Sequence, residues 1–266
     1  MKGKNKELAE FRRQRILEEL RRRGVVRTVD LARSFSVSPM TIRNDLAALA
    51  RKGLVEKVYG GAVAKEPIAA EPSYYEKATR NLEEKRQIAH KAAEFIQEGM
   101  AIFIGNGTTT IEIVRAIKER PVQNIKFFTN ALTHAVEMAA IPGIEVYVIG
   151  GRLRGISYAM VGPLAEKTLD GIYFDIVFLG ANGVTLKHGV TIPSVEEART
   201  AQLVASLGRK IIVVIDHSKL GVVTHARIIN LLDTNLLEKL IIITDKFASE
   251  YHVKALQEAG IEVILV

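Results

Sequence analysis

The sequence of 266 residues predicts an α/β chain in two parts: a small N-terminal winged helix-turn-helix unit and a larger, mostly parallel α/β unit. Three observations carry that expectation. The excess positive charge is confined to the first quarter, where residues 1–66 hold 16 Lys and Arg against 8 Asp and Glu; the remainder holds 21 against 22. Within that quarter, apolar side chains recur at helical spacing and are broken by turn signals. From Leu82 onward the pattern changes to short β-branched apolar runs separated by helical stretches. A chain of this length suggests about two domains. A basic small unit on a near-neutral large one points to a polyanion partner for the small one.

The small unit is expected over residues 7–63. Phe11, Ile16, Leu17 and Leu20 repeat at helical spacing, and Gly24 ends that helix. A second helix begins near Thr28 as its N-cap, with Asp30 in the first turn and Leu31 and Phe35 as apolar anchors. Then comes SVSPMTIRNDLAALARKG. Ser38 is an N-cap, Pro39 fits the first helical position, and Gly53 closes the end. Ile42, Leu46 and Leu49 fall at i, i+4 and i+7 and must face the core. That turns Met40, Thr41, Arg43 and Asn44 outward at the start of the third helix. Helix, short turn, helix with polar residues at the entry is the helix-turn-helix pattern, placed here at about 26–45. The second helix of such a pair reads base edges in the major groove. Arg43 suits guanine and Asn44 adenine. LVEKVYGGAVA then reads as two short strands around Tyr59-Gly60-Gly61, a wing carrying Lys57 and Tyr59 beside the groove. Ser38, Met40, Thr41, Arg43, Asn44, Lys57 and Tyr59 form the candidate DNA-binding set. A three-helix bundle with a hairpin gives the same pattern, and the SVSPMTIR turn with its local charge favours DNA.

The segment VDLARSFSVSPMTIRNDLAALARKGLVEKVYGGAV resembles the DNA-binding domain of the DeoR family of bacterial transcriptional repressors. That family shows V-S-x-x-T-I-R-R-D-L followed by a G-x-hydrophobic-x-R-x-x-G-G-A wing. Here Asn44 replaces the second Arg and Lys57 stands where an Arg is common. The resemblance implies operator DNA as a partner. Paired half-sites then imply a homodimer or homotetramer.

Residues 64–81, with two prolines and mixed charge, read as a linker, and residues 82–266 as the large unit. Its apolar runs are MAIFIG, IKFFTN, IEVYVIG, FDIVFLGA, KIIVVID, KLIIITD and IEVILV. Continuous runs of this kind alternating with helices suit a buried, mostly parallel sheet. One helix is expected to start at Ser194, with Glu197 completing a capping box. Ligands of such sheets sit beyond the C-terminal strand ends. The residues there include Asn106-Gly107-Thr108-Thr109-Thr110, Thr129-Asn130, Gly150-Gly151, Gly180-Ala181-Asn182-Gly183 and Asp216-His217-Ser218-Lys219. Glycine lets backbone N–H groups approach an anion, threonine adds donors, and a helix N-terminus adds about half a positive charge. GNGTTT thus suits a phosphate. The plain alternative is a tight strand–helix turn with a threonine cap. It is not a P-loop, nor the dinucleotide fingerprint, because Thr110 stands where a third glycine belongs.

EKRQIAHKAAEFIQEGMAIFIGNGTTT, TNAL, VIGG and DHSKLG are similar to the sensor domain of the same DeoR family. The resemblance implies a fold like ribose-phosphate isomerases and CoA transferases, and a phosphorylated sugar as effector. It implies an effector site of Asn106, Gly107, Thr108, Thr109, Thr110, Thr129, Asn130, Gly150, Gly151 and Lys219. Arg80 and Lys85 match as well. Asn106 stands where the family has Asp, which keeps the hydrogen bonding and loses the charge.

No cysteine is present, so disulfides and thiolate chemistry are excluded. The N-terminus lacks the apolar stretch of a signal peptide, and no run is long enough to span a membrane, so a cytoplasmic protein is expected. The six histidines form no ligand-spaced pair, and neither a metal nor a cofactor is expected. Two other readings compete. A sugar-phosphate isomerase with a DNA-binding appendage needs a general base. Asn106 cannot serve, and spacing singles out none of Glu196, Glu197, Asp216 and Asp175, so no catalytic residue is expected. A dinucleotide-sensing redox repressor needs the glycine turn that is missing.

Overall fold

The computed structural model describes residues 9, 12–13, 15–17, 19–20, 25–51, 53–64, 74–233 and 238–266. Phe11, Gly24 and residues 65–73 of the expected linker lie outside them. The small unit contains β1 (Val25–Arg27), α1 (Thr28–Ser34), α2 (Pro39–Arg51), β2 (Val55–Val58) and β3 (Gly61–Ala64). Its core joins Ile16 and Leu20 to Leu31, Ile42, Leu46 and Leu49, the positions the helical spacing selects. Ser38 caps α2: its Oγ accepts the Thr41 N–H at 3.1 Å. Gly53, at φ +72, ends it, with Leu54 N–H reaching back to Leu49 O at 3.0 Å.

Two local expectations change. Thr28 is not a cap but a buried first-turn residue whose N–H donates to Gly60 O at 2.8 Å; Arg27 occupies the cap position without a side-chain bond. The wing has three strands, because Val25–Arg27 pairs antiparallel with Gly61–Ala64. Three residues between helices are too few for a period-2 signal. The pairing explains Gly61, where a Cβ would sit 1.9 Å from Val26 O. One buried charge carries no sequence signal. Asp45, on the inner face of α2, is 1% exposed and accepts Arg12 Nε at 2.5 Å and Arg13 Nε at 2.8 Å.

The large unit is built on seven parallel strands in the order β15-β14-β12-β9-β4-β5-β6. They are β4 (Ala101–Ile104), β5 (Lys126–Thr129), β6 (Glu145–Val148), β9 (Phe174–Gly180), β12 (Gly208–Val214), β14 (Leu240–Thr244) and β15 (Glu262–Leu265). Each apolar run supplies one strand. Alternate residues feed two cores: Phe103, Val177, Val213 and Ile242 on one face, and Ile104, Phe178, Ile212 and Ile243 on the other. Burial on both faces is why the runs are continuously apolar. The chain steps outward from β4 to β6, then returns to place β9 against the other side of β4. The order therefore reverses between β4 and β9, where a parallel sheet leaves a crevice at its C-terminal edge.

Further elements surround that edge. Helices α3 (Tyr74–Ala78) and α4 (Leu82–Ala93) precede the sheet. Helix α3 falls inside the stretch read as a linker, and its Tyr74 N–H donates to Ile156 O at 3.2 Å. Helix α5 (Thr110–Glu119) follows β4, and α6 (Leu132–Met138) follows β5. Strands β7 (Arg152–Arg154) and β8 (Ala159–Val161) form a hairpin. Then come α7 (Pro163–Lys167), β10 (Gly183–Thr185), β11 (Gly189–Ile192), α8 (Val195–Leu207), β13 (Ala226–Ile229) and α9 (Glu250–Glu258). Strands β10, β11 and β13 make a small antiparallel sheet. The ends of β12 and β14 are clamped together. Asp245, fully buried, accepts the His217 N–H at 2.7 Å and pairs with His217 Nδ1 at 2.9 Å.

Two outcomes follow. Removing Asp45 leaves Arg12 and Arg13 facing an apolar helix. Asp45→Ala should destabilise the small unit by about 2–4 kcal/mol. Amide hydrogen exchange across residues 42–49 of the full chain reads this, and unchanged protection would contradict it. The Asp245 hydrogen bond raises the His217 pKa above 6.5, against burial, which lowers it. A raised histidine stabilises fully below the unfolded pKa and loses that contribution as pH climbs through the folded one. The melting-temperature gap between wild type and His217→Gln should be widest at pH 6 and shrink toward pH 9. A gap independent of pH would show an uncharged role.

Candidate functional site

Helix α2 presents its entry to solvent. Ser38, Met40, Arg43 and Asn44 are exposed and Thr41 partly so, while Ile42, Asp45 and Leu46 face inward. Met40, Arg43 and Asn44 share one face at i, i+3 and i+4. The Ser38 and Thr41 hydroxyls lie 2.9 Å apart and serve the cap, which leaves them less free to address a partner. Lys57 and Tyr59 stand fully in solvent on the wing.

At the crevice between β4 and β9 the chain builds a cleft. Its walls include Gly105, Asn106, Gly107, Thr108 and Thr109 after β4, Asn130 after β5, Gly180-Ala181-Asn182 after β9, Glu197 and Thr200 on α8, Lys219, and Lys77. The turn after β4 fits close to β9: Gly105 N–H donates to Phe178 O at 2.9 Å, and a Cβ on Gly105 would press on Leu179 at 3.2 Å. Gly107 takes φ +154, which side chains rarely adopt. The N–H groups of Gly107, Thr108 and Thr109 have no hydrogen-bond partner among the described residues. Helix α5 starts immediately after them, so its unpaired amides and dipole add to the same end.

Four residues of the expected effector set are not brought into the cleft wall. The Thr110 hydroxyl, fully buried, donates to Gly107 O at 3.1 Å and meets His134 Nε2 at 3.0 Å. It fastens the turn. Burial pushes His134 down to about 3, so that ring stays neutral. The Thr129 hydroxyl donates to Ile104 O at 2.7 Å and accepts the Ala131 N–H at 3.0 Å, locking β5 to β4. Gly150 and Gly151 lead into the β7–β8 hairpin; Gly151 takes φ +128, and a Cβ there would meet Val161 O at 2.7 Å. Gly151 thus serves backbone packing, while a Cβ on Gly150 would meet nothing within 4 Å. Asn106, Gly107, Thr108, Thr109, Asn130 and Lys219 do converge.

One cleft carboxylate has a role the sequence does not disclose. Ser194 caps α8 by accepting the Glu197 N–H at 3.3 Å, but the Glu197 side chain does not return to close a capping box. It turns into the cleft wall, where it accepts Arg154 Nη1 at 3.0 Å, the Ser157 hydroxyl, and Asn106 Nδ2 at 3.2 Å. Asn130 completes the group by accepting the Asn106 N–H at 3.2 Å. This arrangement accounts for the amide at position 106. An aspartate there would face the Glu197 carboxylate and lose the donor that joins them.

Lys219 is the cation at the tip of β12. It stands 3.8 Å from Asp216, a carboxylate 1% exposed. Burial alone would raise the Asp216 pKa, yet Lys219, Ser218 and Asn81 hold it below the usual aspartate value. Asn81 Nδ2 reaches Asp216 at 2.8 Å. Lys85, 2% exposed, donates to the Lys77 carbonyl. Burial lowers its pKa to about 8, against the pull of Asp216. Lys77, Lys219 and backbone donors thus line the cleft, and Glu197, its one acid among the described residues, is bonded to Arg154. That chemistry suits an anion. Among the described residues no group of three or more His, Asp or Glu side chains is placed to hold a metal. No described helix is long and apolar enough to cross a membrane.

Comparison with known proteins extends these observations. Residues 12–67 match the DeoR-like helix-turn-helix domain and residues 80–246 the DeoR C terminal sensor domain. The chain is 35% identical over 257 residues to a putative aga operon transcriptional repressor of Escherichia coli O157:H7, covering 96% of this chain and 93% of that one. It is 35% identical over 210 residues to the lactose phosphotransferase system repressor of Staphylococcus epidermidis, covering 77% and 82%. Among solved structures, ribose 5 phosphate isomerase A from Neisseria gonorrhoeae aligns with a TM-score of 0.41 at 21% identity, covering 54% of this chain and 55% of that one. The full-length sorbitol operon regulator SorC from Klebsiella pneumoniae aligns with a TM-score of 0.39 at 11% identity, covering 87% and 94%. With both family domains matched in order and relatives similar over nearly the whole length, the chain belongs to the DeoR family of transcriptional regulators.

Proposed function

We propose that this regulator represses a sugar-utilisation operon, gripping operator DNA through α2 and the wing, and that a phosphorylated sugar in the cleft sets the strength of that grip. The observation that carries the reading is the amide-rich Gly107-Thr108-Thr109 turn sharing a cleft with Lys219 at the sheet's reversal point. Names of relatives point the same way: one represses the aga operon and one a lactose phosphotransferase system. The units are read as residues 7–63 for DNA, 64–81 as the connection, and 82–266 for the effector. Helix α3 places the last part of that connection at the cleft. A homodimer or homotetramer supplies two recognition helices for paired half-sites.

Within this reading Thr108 and Thr109, with the amides beside them, hold the phosphate, and Lys219 balances its charge. Asn106, Asn130 and Glu197 face the sugar. We assign no turnover to the cleft. Glu197 is its one acid, and a carboxylate already bonded to Arg154 and Ser157 is poorly placed to take a proton.

Three outcomes test this. Arg43→Ala should cost operator affinity about 1–3 kcal/mol and relax specificity at one base pair; uniform loss across operator variants would make Arg43 a phosphate contact instead. The sugar panel comprises ribose 5-phosphate, fructose 1-phosphate, fructose 6-phosphate, glucose 6-phosphate and glycerol 3-phosphate, with inorganic phosphate alongside. Calorimetry with the tightest of them should show Thr109→Ala binding about ten-fold weaker, since charge-assisted bonds are worth about 1.5–3 kcal/mol. The unphosphorylated parent should lose nothing further, and equal losses for both would remove the phosphate assignment. Finally, wild type incubated with the aldose and ketose phosphates should yield no isomer. Conversion that disappears in Glu197→Gln would establish an enzyme.

A further inference from the structure

We propose that Lys77, delivered by helix α3 at the sensor end of the linker, is a second cation for the anionic ligand. A bound anion thereby fastens segment 74–85 onto the sheet. The inference rests on the reading of the cleft as a phosphorylated-ligand site.

The two cleft lysines come from different parts of the chain. Lys219 lies in the short turn that follows β12, at the sheet's C-terminal end. Lys77 precedes the first strand of the sheet, four residues beyond the undescribed stretch 65–73, and is half-buried in the same cleft. An ion touching both bridges the linker side to the sheet.

Helix α3 is well suited to respond. None of its five residues is buried. Its attachments include the Tyr74 N–H to Ile156 O at 3.2 Å, ring contacts of Tyr74 and Tyr75 with Tyr158 at 5.5 and 6.3 Å, the Tyr158 hydroxyl donating to the Tyr75 hydroxyl at 3.2 Å, and the Lys77 carbonyl under Lys85. An element with little buried apolar surface opens at low cost, so one or two charge-assisted bonds shift its docking measurably. The residues just after it already connect to the ligand's other cation. Asn81, in the left-handed conformation at φ 51, bonds Asp216, and Asp216 stands 3.8 Å from Lys219. Ligand, Lys219, Asp216, Asn81 and Lys77 thus close a ring through segment 74–85. Binding of the anion and docking of the linker side then favour each other by the same factor.

The test uses the full chain with the tightest compound of the sugar-phosphate panel and inorganic phosphate, read by calorimetry and by hydrogen exchange over 74–85. In wild type the ligand should slow exchange there. Lys77→Ala should bind about ten-fold weaker, as expected for loss of a charge-assisted contact, and show no slowing at saturating ligand. Lys77→Arg should keep both effects. Lys219→Ala should bind more weakly yet still slow exchange once saturated. If Lys77→Ala, with unchanged circular dichroism, binds and slows exchange like wild type, this inference falls while the cleft reading stands. An equal loss of the unphosphorylated sugar would also overturn it, because Lys77 would then only shape the wall. If neither inorganic phosphate nor any sugar phosphate binds wild type, the inference and the cleft reading fall together.

Discussion

The parallel pairing of β4 with β9, Ile102 to Ile176 through Ile104 to Phe178, is the constraint on which the large unit depends. It places two strands that are distant in sequence side by side, pointing the same way. Their C-terminal ends then deliver Gly105–Thr109 and Gly180–Asn182 to one spot. The helices that follow or flank them must diverge, and the divergence is the cleft. The polar groups of these two turns are aimed by this register. Phe178 illustrates the linkage: its side chain is buried in the core, and its carbonyl holds the Gly105 N–H at the cleft mouth. A one-residue slip of β9 would exchange the side chains facing its two cores, Val177 for Phe178, and lose that anchor together.

Chemistry at the cleft is sorted by depth. The deepest hydroxyls, Thr110 and Thr129, are wholly used by the backbone and by neutral His134. They hold the turn in a shape that leaves the amides of Gly107, Thr108 and Thr109 unpaired. Farther out, Asn106, Asn130 and Glu197 form a hydrogen-bonded group in which the amides adapt donor to acceptor. At the rim lie Lys77 and Lys219. Preorganised amides supply direction, and the lysines supply charge whose reach depends on salt. The small unit divides its labour similarly. Asp45 and the apolar positions of α2 fix the helix from within, leaving Met40, Arg43 and Asn44 exposed on its outer face.

The sequence discloses elements whose pattern is long or chemically loud. Seven β-branched runs foretell seven strands, and SVSPMTIR with Gly53 foretells both ends of α2. The two-glycine, three-threonine turn foretells where the sheet opens. What stays hidden has physical reasons. Val25–Arg27 is a strand only because Gly61–Ala64 lies beside it, a partner 36 residues away. Thr129 and Thr110 look like ligand groups, since a hydroxyl bonded to its own backbone has the same letter as one facing solvent. Glu197 fits a capping box by spacing, and only the arrival of Arg154 and Asn106 from elsewhere shows where its carboxylate goes. Lys77 sits in proline- and alanine-rich surroundings that read as a connector, and its place in the cleft wall is a tertiary fact.

In the proposed function, one anion-binding cleft and one DNA-binding helix pair act on a single equilibrium. Linkage makes that claim quantitative, because the factor by which ligand changes operator affinity must equal the factor by which operator changes ligand affinity. The direct measurement is a titration of operator binding at several fixed concentrations of the tightest sugar phosphate, paired with ligand titrations of the free and operator-bound protein. The expected result is one common factor, different from one, that collapses toward one in Thr109→Ala at the same ligand concentrations. A ligand that binds the cleft tightly while leaving operator affinity unchanged would contradict it.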